Sequence, residues 1–338
     1  MRVGIDVDWL AGPRRDGLFN HAAGLLAGLR AAGLAGRAAL YTWNRRGAAL
    51  PPAAAAAVAG FAVRDYRLPR RLYRARTWLG RLGRYARLDV FQTMTHAGFP
   101  PVPGRLNAYL VPDLTTVRVP ACHTAAGRAN WDRYLDAVRR HAGLVVTWTE
   151  HTRADVASYL NIPPERVVAV PLGCDPAFRP VPPAAAAPHL AALGLSFGRY
   201  LLAVGTVEPR KNHAALFRAY AALKARGAVA GVPLVVVGAR GHGADDILAD
   251  IDRLGLAADV RVAGFVESLP AVYSGAAALA YPSFYEGFGL PPLEAMACGC
   301  PVVASSATSL PEVVGGAGLL VDPDDADGLA DALGAILS

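Results

Sequence analysis

The run Tyr281-Pro-Ser-Phe-Tyr-Glu286-Gly-Phe-Gly289-Leu-Pro-Pro-Leu-Glu294-Ala-Met-Ala-Cys-Gly-Cys300 sets two glutamates on either side of a glycine-rich turn, with seven residues between them. Apolar stretches flank it, Ala276 to Tyr281 before and Pro301 to Ala304 after. Pro291 and Pro292 suit the first turn of a helix, and Gly299 suits its C-terminal stop. The glycines therefore fall where a strand turns into a helix. Such a helix start presents unpaired N–H groups and the positive end of the helix dipole, which suits a phosphate. Two carboxylates beside an anion site are costly unless they hold something else, such as hydroxyls. A phosphate with hydroxyls on both sides describes a nucleotide sugar.

Three more loops of the second half carry similar chemistry. Val204-Gly-Thr-Val-Glu-Pro-Arg210-Lys211-Asn-His213 leaves a strand near Gly205 and enters a helix near Asn212, a good N-cap type. Arg210 and Lys211 project from this turn and could bind phosphate, the arginine as a fork and the lysine as a point charge. The plain alternative is a solvated basic turn. Val237-Gly-Ala-Arg-Gly-His-Gly243 is a weak glycine signal, equally a tight turn. At Ala263-Gly-Phe265-Val266-Glu267 a strand end could seat a flat base. Four such loops in register along one sheet edge say more than any one of them.

Alternating strands and helices must position these loops. The strand candidates are Arg2–Val7, Ala38–Trp43, Val90–Met94, Leu106–Val111, Leu144–Thr149 and Val167–Val170. In the second half they are Tyr200–Val204, Leu234–Val237, Val260–Ala263, Ala276–Tyr281, Pro301–Ala304 and Gly318–Val321. Nearly continuous apolar strands separated by helices predict parallel sheets covered on both faces. The proline-rich segment Asp175 to Pro188 breaks the rhythm and reads as a linker. The expected architecture is α/β, two doubly wound Rossmann-like domains facing across a cleft. They are residues 1–178, on the acceptor side, and 179–338, which bind the nucleotide.

The chain has 338 residues, 53% of them hydrophobic, enough for two domains with sizeable cores. The start Met1-Arg-Val-Gly-Ile-Asp6 reads as a strand and not a signal peptide, and no apolar run is long enough to span a bilayer without a charge. A cytoplasmic location is expected. The four cysteines lack zinc-ligand spacing and read as reduced thiols. Net charge is +7, yet no nucleic-acid motif is visible, so no nucleic-acid partner is expected. Eight arginines and no acid lie between Arg67 and Arg87. Leu68, Leu72, Ala75, Leu79, Leu82 and Ala86 recur among them at helical spacing. Residues 69–88 read as a basic amphipathic helix. It could rest peripherally on the inner face of a membrane, or be a surface helix with solvated arginines.

Gly205-Thr-Val-Glu-Pro-Arg-Lys-Asn212 and Glu286-Gly-Phe-Gly-Leu-Pro-Pro-Leu-Glu294 resemble the signature of family 4 retaining glycosyltransferases, which have the GT-B fold. The first is most similar to mannosyltransferase-like group 1 members that build polysaccharides. The likeness extends through Trp148 to Asp155 and Val170 to Phe178, and so over nearly the whole chain. It implies that Arg210 and Lys211 hold a diphosphate, that Glu286 sits near the donor sugar, and that Glu294 accepts from ribose hydroxyls. It further implies contacts from the backbone of Gly287, Phe288, Gly289 and Leu290 to phosphate and sugar, with Phe265 and Val266 beside the base. The donor expected is a nucleotide diphosphate sugar, GDP-mannose first, and the acceptor a glycan or a lipid-linked sugar. No cofactor or metal is expected, because cations and helix N-termini can neutralise the leaving diphosphate.

The first half departs from the family's pattern. Its opening loop, Gly12-Pro-Arg-Arg-Asp-Gly17, resembles the glycine-rich loop over the phosphates, with Gly17 in the place of the second of two glycines. Where the family commonly has His-Asp, this chain has Pro112-Asp113, and Pro112 can donate no hydrogen bond. Asp113 joins the candidate catalytic residues. His96 either substitutes for the missing histidine or is an ordinary loop residue. Asp6-Val-Asp8 matches a metal-binding D-x-D pattern of glycosyltransferases of another fold, but it ends the first strand and reads as structural. The chain stops at Ser338, short of the helix that in the family crosses back to the first domain, so either the sequence is truncated or that helix is lacking. Two rival readings stand beside the transferase: a nucleotide-sugar epimerase or hydrolase of the same fold, and a non-catalytic GT-B binding subunit.

Overall fold

The computed structural model describes residues 1–11, 17–42, 50–65, 88–94, 101–102 and 104–338. His96 and all of the basic segment 69–88 except its last residue lie outside the described residues. The chain's contacts divide it into two compact units. The first contains Met1–Pro112, Ala129–Trp148 and Arg153–Gly173, and the second contains Asp113–Arg128, Thr149–Thr152 and Cys174–Ser338.

In the first unit the described strands are β1 (Val3–Asp6), β2 (Ala38–Thr42), β3 (Ala62–Asp65), β4 (Val90–Thr93), β5 (Leu106–Leu110), β6 (Leu144–Thr147) and β7 (Val167–Ala169). They form a parallel sheet in the order β3-β2-β1-β4-β5-β6-β7. Ile5, Leu40, Phe91, Leu110 and Val145 fill its core. Asp6 is fully buried at the end of β1, and its Oδ1 accepts from the Asp8 N–H (3.0 Å). Gly17 is the first residue of the helix Gly17–Ala31.

The second unit holds β8 (Leu201–Val204), β9 (Leu234–Val237), β10 (Val260–Gly264), β11 (Ala278–Tyr281), β12 (Val302–Ser305) and β13 (Leu319–Val321). The order β10-β9-β8-β11-β12-β13 is that of a dinucleotide-binding sheet. Its strands bury both faces, which is why they read as unbroken apolar runs. Leu201, Ala203, Leu234, Val236, Ala278 and Ala280 pack against the helices His213–Ala225 and Ala326–Leu337. Leu202, Val235, Leu279, Tyr281, Val302 and Ala304 face the opposite layer, which includes Leu190, Tyr273, Ala295 and Leu310.

The twelve expected strands all form, with ends moved by no more than two residues. β3 was not anticipated. It is short, lies at the sheet edge, carries Arg64, and leaves Val63 40% exposed, so it lacks the apolar run that marks a central strand. The expected linker is a linker only in its first part. Pro183–Ala191 is a helix whose Ala186 and Leu190 are buried in the core. Pro183 stands at the one helical position where proline costs nothing, and the alanines that follow are strong helix formers. Among the described residues no helix is long and apolar enough to cross a membrane.

Candidate active site

β8 is the strand from which the second sheet grows in both directions, with β9 on one side and β11 on the other. Chains leaving neighbouring strands at such a reversal diverge and leave a crevice beyond their carboxyl ends. Arg210 and Lys211 leave β8 there, and the glutamate run leaves β11. Pro209–Lys211 is one turn of 3-10 helix, followed by Asn212 in the left-handed region (φ 55). Asn212 stands at the N-cap position of the next helix, as expected, but its side chain caps nothing. Its amide donates to Pro282 O (3.1 Å) and Pro323 O (2.7 Å) instead, tying the Arg210 loop to the chain beyond β11 and β13. Asparagine tolerates the left-handed conformation and supplies two donors, so it suits both tasks. Gly238, in the weak glycine loop, has a packing reason. A Cβ there would lie 2.0 Å from Gly205 O.

Arg210, Lys211 and Glu286 come together. Arg210 Nη1 lies 2.8 Å from Glu286 Oε2, and Lys211 Nζ lies 2.6 Å from Glu286 Oε1. Arg210 also donates to Tyr285 O (2.9 Å) and pairs with Glu208 (2.8 Å). Tyr281 bridges the group. Its hydroxyl accepts from Lys211 (2.5 Å) and donates to Glu286 Oε1 (3.0 Å). The Glu286 carboxyl is buried, which alone would raise its pKa, but Arg210 and Lys211 outweigh burial and hold it at about 2. Burial lowers the Lys211 ammonium against the pull of Glu286. Burial also works against Arg210, yet Glu286 and Glu208 raise it above its ordinary value. Glu286 is thus an ionised anchor for two cations, a role the sequence reading had not assigned to it. Each cation keeps donors in reserve, since an ammonium has three and a guanidinium five.

The turn after Glu286 is held through its carbonyls. Ser309 Oγ lies 2.8 Å from both Glu286 O and Phe288 O, and its single proton is shared between them. Thr149 Oγ1 and Thr152 Oγ1 donate to Gly287 O (3.2 and 3.4 Å), and Leu293 N donates to Gly289 O (3.3 Å). Gly289 has φ 114, and a Cβ there would meet Leu310 Cδ2 at 2.6 Å, so both conformation and space require glycine. The helix Leu290–Ala297 begins here, with Pro291 and Pro292 in its first turn. Neither proline has an N–H, so the free donors of this helix start are confined to the turn. Among the described residues, no acceptor takes the N–H groups of Gly287, Phe288, Gly289 or Leu290.

Glu294, on the same helix, keeps different company. Its Oε2 accepts from Tyr273 OH (3.0 Å), and burial raises its pKa to about 7, helped by the negative charge of Asp175 and opposed by Tyr273. On the loop after β10, Phe265 is 82% exposed while Val266 packs against the core. Asp113 Oδ1 accepts from the Thr115 N–H and hydroxyl, both 2.9 Å, and its charge reaches Arg210. The sequence reading missed His123, whose Nε2 is buried without a partner among the described residues and whose pKa is lowered first by burial and next by Arg210. It also missed Tyr273, Tyr281, Thr149, Thr152 and Ser309. Tyr281 was visible as the last residue of an apolar strand, the position from which a side chain reaches a crevice.

Residues 198–338 match the family described as glycosyl transferases group 1. The O-antigen chain mannosyltransferase B of Escherichia coli is 39% identical over 221 residues, covering 64% of this chain and 58% of that protein. The chain spans about three fifths or less of the length of the curated relatives it matches. Among solved structures, Anabaena Alr3699/HepE in complex with UDP and glucose superposes with a TM-score of 0.75 at 20% identity, over 100% of this chain and 90% of that one. WaaG, a glycosyltransferase involved in lipopolysaccharide biosynthesis, superposes at 0.71 and 19%, over 99% and 90%. The fold is GT-B.

Proposed function

We propose that this chain, whose residues 198–338 match the group 1 glycosyl transferases, is a retaining glycosyltransferase of family 4 type. It would move a sugar from a nucleoside diphosphate to a glycan or lipid-linked hydroxyl. GDP-mannose is the first donor to try, given the likeness to an O-antigen chain mannosyltransferase. One observation carries the reading: four backbone N–H groups, Gly287 to Leu290, without an acceptor among the described residues, stand in the turn beside a partly buried arginine and lysine. That arrangement fits a diphosphate better than any other common metabolite group.

In this reading the bond from the anomeric carbon to the diphosphate breaks as the acceptor oxygen bonds to the same carbon. The acceptor proton passes to the departing diphosphate, so no separate base is needed. The transition state resembles an oxocarbenium ion, and the main demand is to stabilise the leaving group. Lys211, Arg210 and the turn meet that demand, and we assign them the positive charge that a metal supplies in other enzymes. Glu286 keeps both cations in place and turns its remaining edge to the sugar. Glu294 accepts from the ribose.

The test is transfer from GDP-mannose and a panel of other nucleotide sugars. Lys211→Ala and Arg210→Ala should each lower turnover at least tenfold, because a charged phosphate contact is worth about 1.5–3 kcal/mol. Wild-type turnover in both variants would overturn the assignment. Donor consumed without any acceptor would point to an epimerase or hydrolase.

A further inference from the structure

The turn that supports the proposed function is gripped from behind by residues that function does not use. Its peptides are trans, since the described chain holds no cis bond. In a planar trans peptide the C=O of one residue and the N–H of the next point in opposite directions. Fixing a carbonyl therefore fixes the following N–H. Thr149 and Thr152 hold the Gly287 carbonyl, Leu293 holds that of Gly289, and those of Glu286 and Phe288 share the one proton of Ser309 Oγ. The N–H groups that follow these four carbonyls are those of Gly287, Phe288, Gly289 and Leu290, which have no acceptor among the described residues.

The threonines are themselves held. Thr149 Oγ1 lies 3.0 Å from Thr152 Oγ1 and accepts from the Thr152 N–H (3.2 Å). Both side chains are fully buried. Between them, the N–H groups of Glu150 and His151 donate to the two oxygens of Glu312, at 3.0 and 3.3 Å. Glu312 follows Ser309 on the next short helix, Leu310–Val314. One segment thus supplies Ser309 to the turn directly and Glu312 to the threonine pair.

We infer that Thr149 and Thr152, seated by Glu312, are positioning residues: they hold the Gly287 carbonyl inward so that the Phe288 N–H and its neighbours face a phosphate. Neither threonine touches the ligand. A mispointed donor loses its bond to the phosphate, and small displacements of such groups carry large rate penalties. The inference rests on the reading of the turn as a phosphate cradle, so its test has one arm that needs no ligand.

Valine keeps the shape of threonine and removes the hydroxyl. In the Thr149→Val/Thr152→Val double variant, amide exchange of Phe284 and Glu286, whose N–H groups bond Arg210 O and Thr308 Oγ1, should accelerate at least tenfold. GDP binding, measured by calorimetry, should weaken at least tenfold while guanosine binding does not change, and kcat should fall. Thr149→Ser, which restores a hydroxyl, should stay within twofold of wild type in every readout. If the double variant does not fold, Glu312→Gln and Thr152→Val alone should show the same pattern with smaller size. Unchanged exchange and unchanged GDP affinity in these variants would overturn the inference. Accelerated exchange in a protein whose wild type binds no nucleoside diphosphate would uphold the clamp and overturn the proposed function.

Discussion

Glu286 and Glu294 are chemically identical, seven residues separate them, and each is 7% exposed, yet the fold shifts their pKa values in opposite directions. Glu286 sits against Arg210 and Lys211 and is ionised, with a pKa of about 2. Glu294 has one neutral partner, Tyr273, a negative neighbour, Asp175, and a pKa of about 7. Burial raises both. What separates them is the source of their neighbours. Glu286 faces the loop from β8, which brings two cations, whereas Glu294 lies one turn into a helix that packs on an apolar layer. Under the proposed function, a site that neutralises a diphosphate and holds a neutral ribose would use both environments, and a strand-to-helix turn supplies them within one motif.

The harshest way to break this contrast is to remove the charge from Glu286. Glu286→Gln leaves the partly buried Arg210 and Lys211 side by side without their shared, buried carboxylate. Stripping one partner from a buried ion cluster costs about 3–5 kcal/mol. The unfolding midpoint in urea should fall accordingly, and transfer should be lost at least a hundredfold. Glu294→Gln should cost little or even stabilise at neutral pH, because its partner is neutral. Equal stability losses in the two variants would mean the two environments are not different in kind.

The next test uses pH. A buried acid whose folded pKa is raised binds more protons when folded, so its stability contribution falls as pH rises from its ordinary value to the folded one. For Glu294 that window runs from 4.5 to about 7. Wild type should therefore lose up to about 3 kcal/mol relative to Glu294→Gln between pH 5 and 8. Glu286 has the opposite sign. Its lowered pKa gives stability that is complete above 4.5 and lost as pH falls toward about 2. If ribose hydroxyls donate to Glu294, GDP should bind more tightly as pH rises through 7, and Glu294→Gln should flatten that dependence. The groups around Glu294 that bear on this are Tyr273, Asp175 and Cys174, whose thiol is itself raised by burial.

Much of this contrast was legible in the residue order. The apolar strands, the proline pair, Gly289 and Gly299 placed the turn and its helix, because each of those signals is local. Arg210 and Lys211 were visible as a basic turn at a strand end. Their pairing with Glu286 was not, since it spans 75 positions and depends on β8 and β11 becoming neighbours. Thr149 reaches Gly287 across 138 positions, and no pattern within either segment announces that bond. Tyr273 lay hidden for a related reason: a buried tyrosine in an apolar helix reads as core until its hydroxyl's partner is known. Asn212 shows the converse. Its type and place predicted a cap, and tertiary partners took its side chain elsewhere.

The smallest predicted effect sharpens the division between the nucleoside and diphosphate halves. Phe265 and Val266 are adjacent, but the first is 82% exposed and the second packs on the core layer that carries Glu294. Phe265→Ala should leave stability within about 0.5 kcal/mol, the range for exposed substitutions. If its ring borders the base, it should weaken GMP and GDP by the same factor of about five, the low end of the roughly 1–3 kcal/mol that stacking on an aromatic is worth, since the ring is exposed. Lys211→Ala should weaken GDP far more than GMP. Val266→Ala should reverse the pattern, with about 1 kcal/mol lost from stability and nucleotide affinity unchanged. Should Phe265→Ala discriminate between GMP and GDP, the ring would belong with the Glu286 side, and the boundary drawn through the turn would have to move.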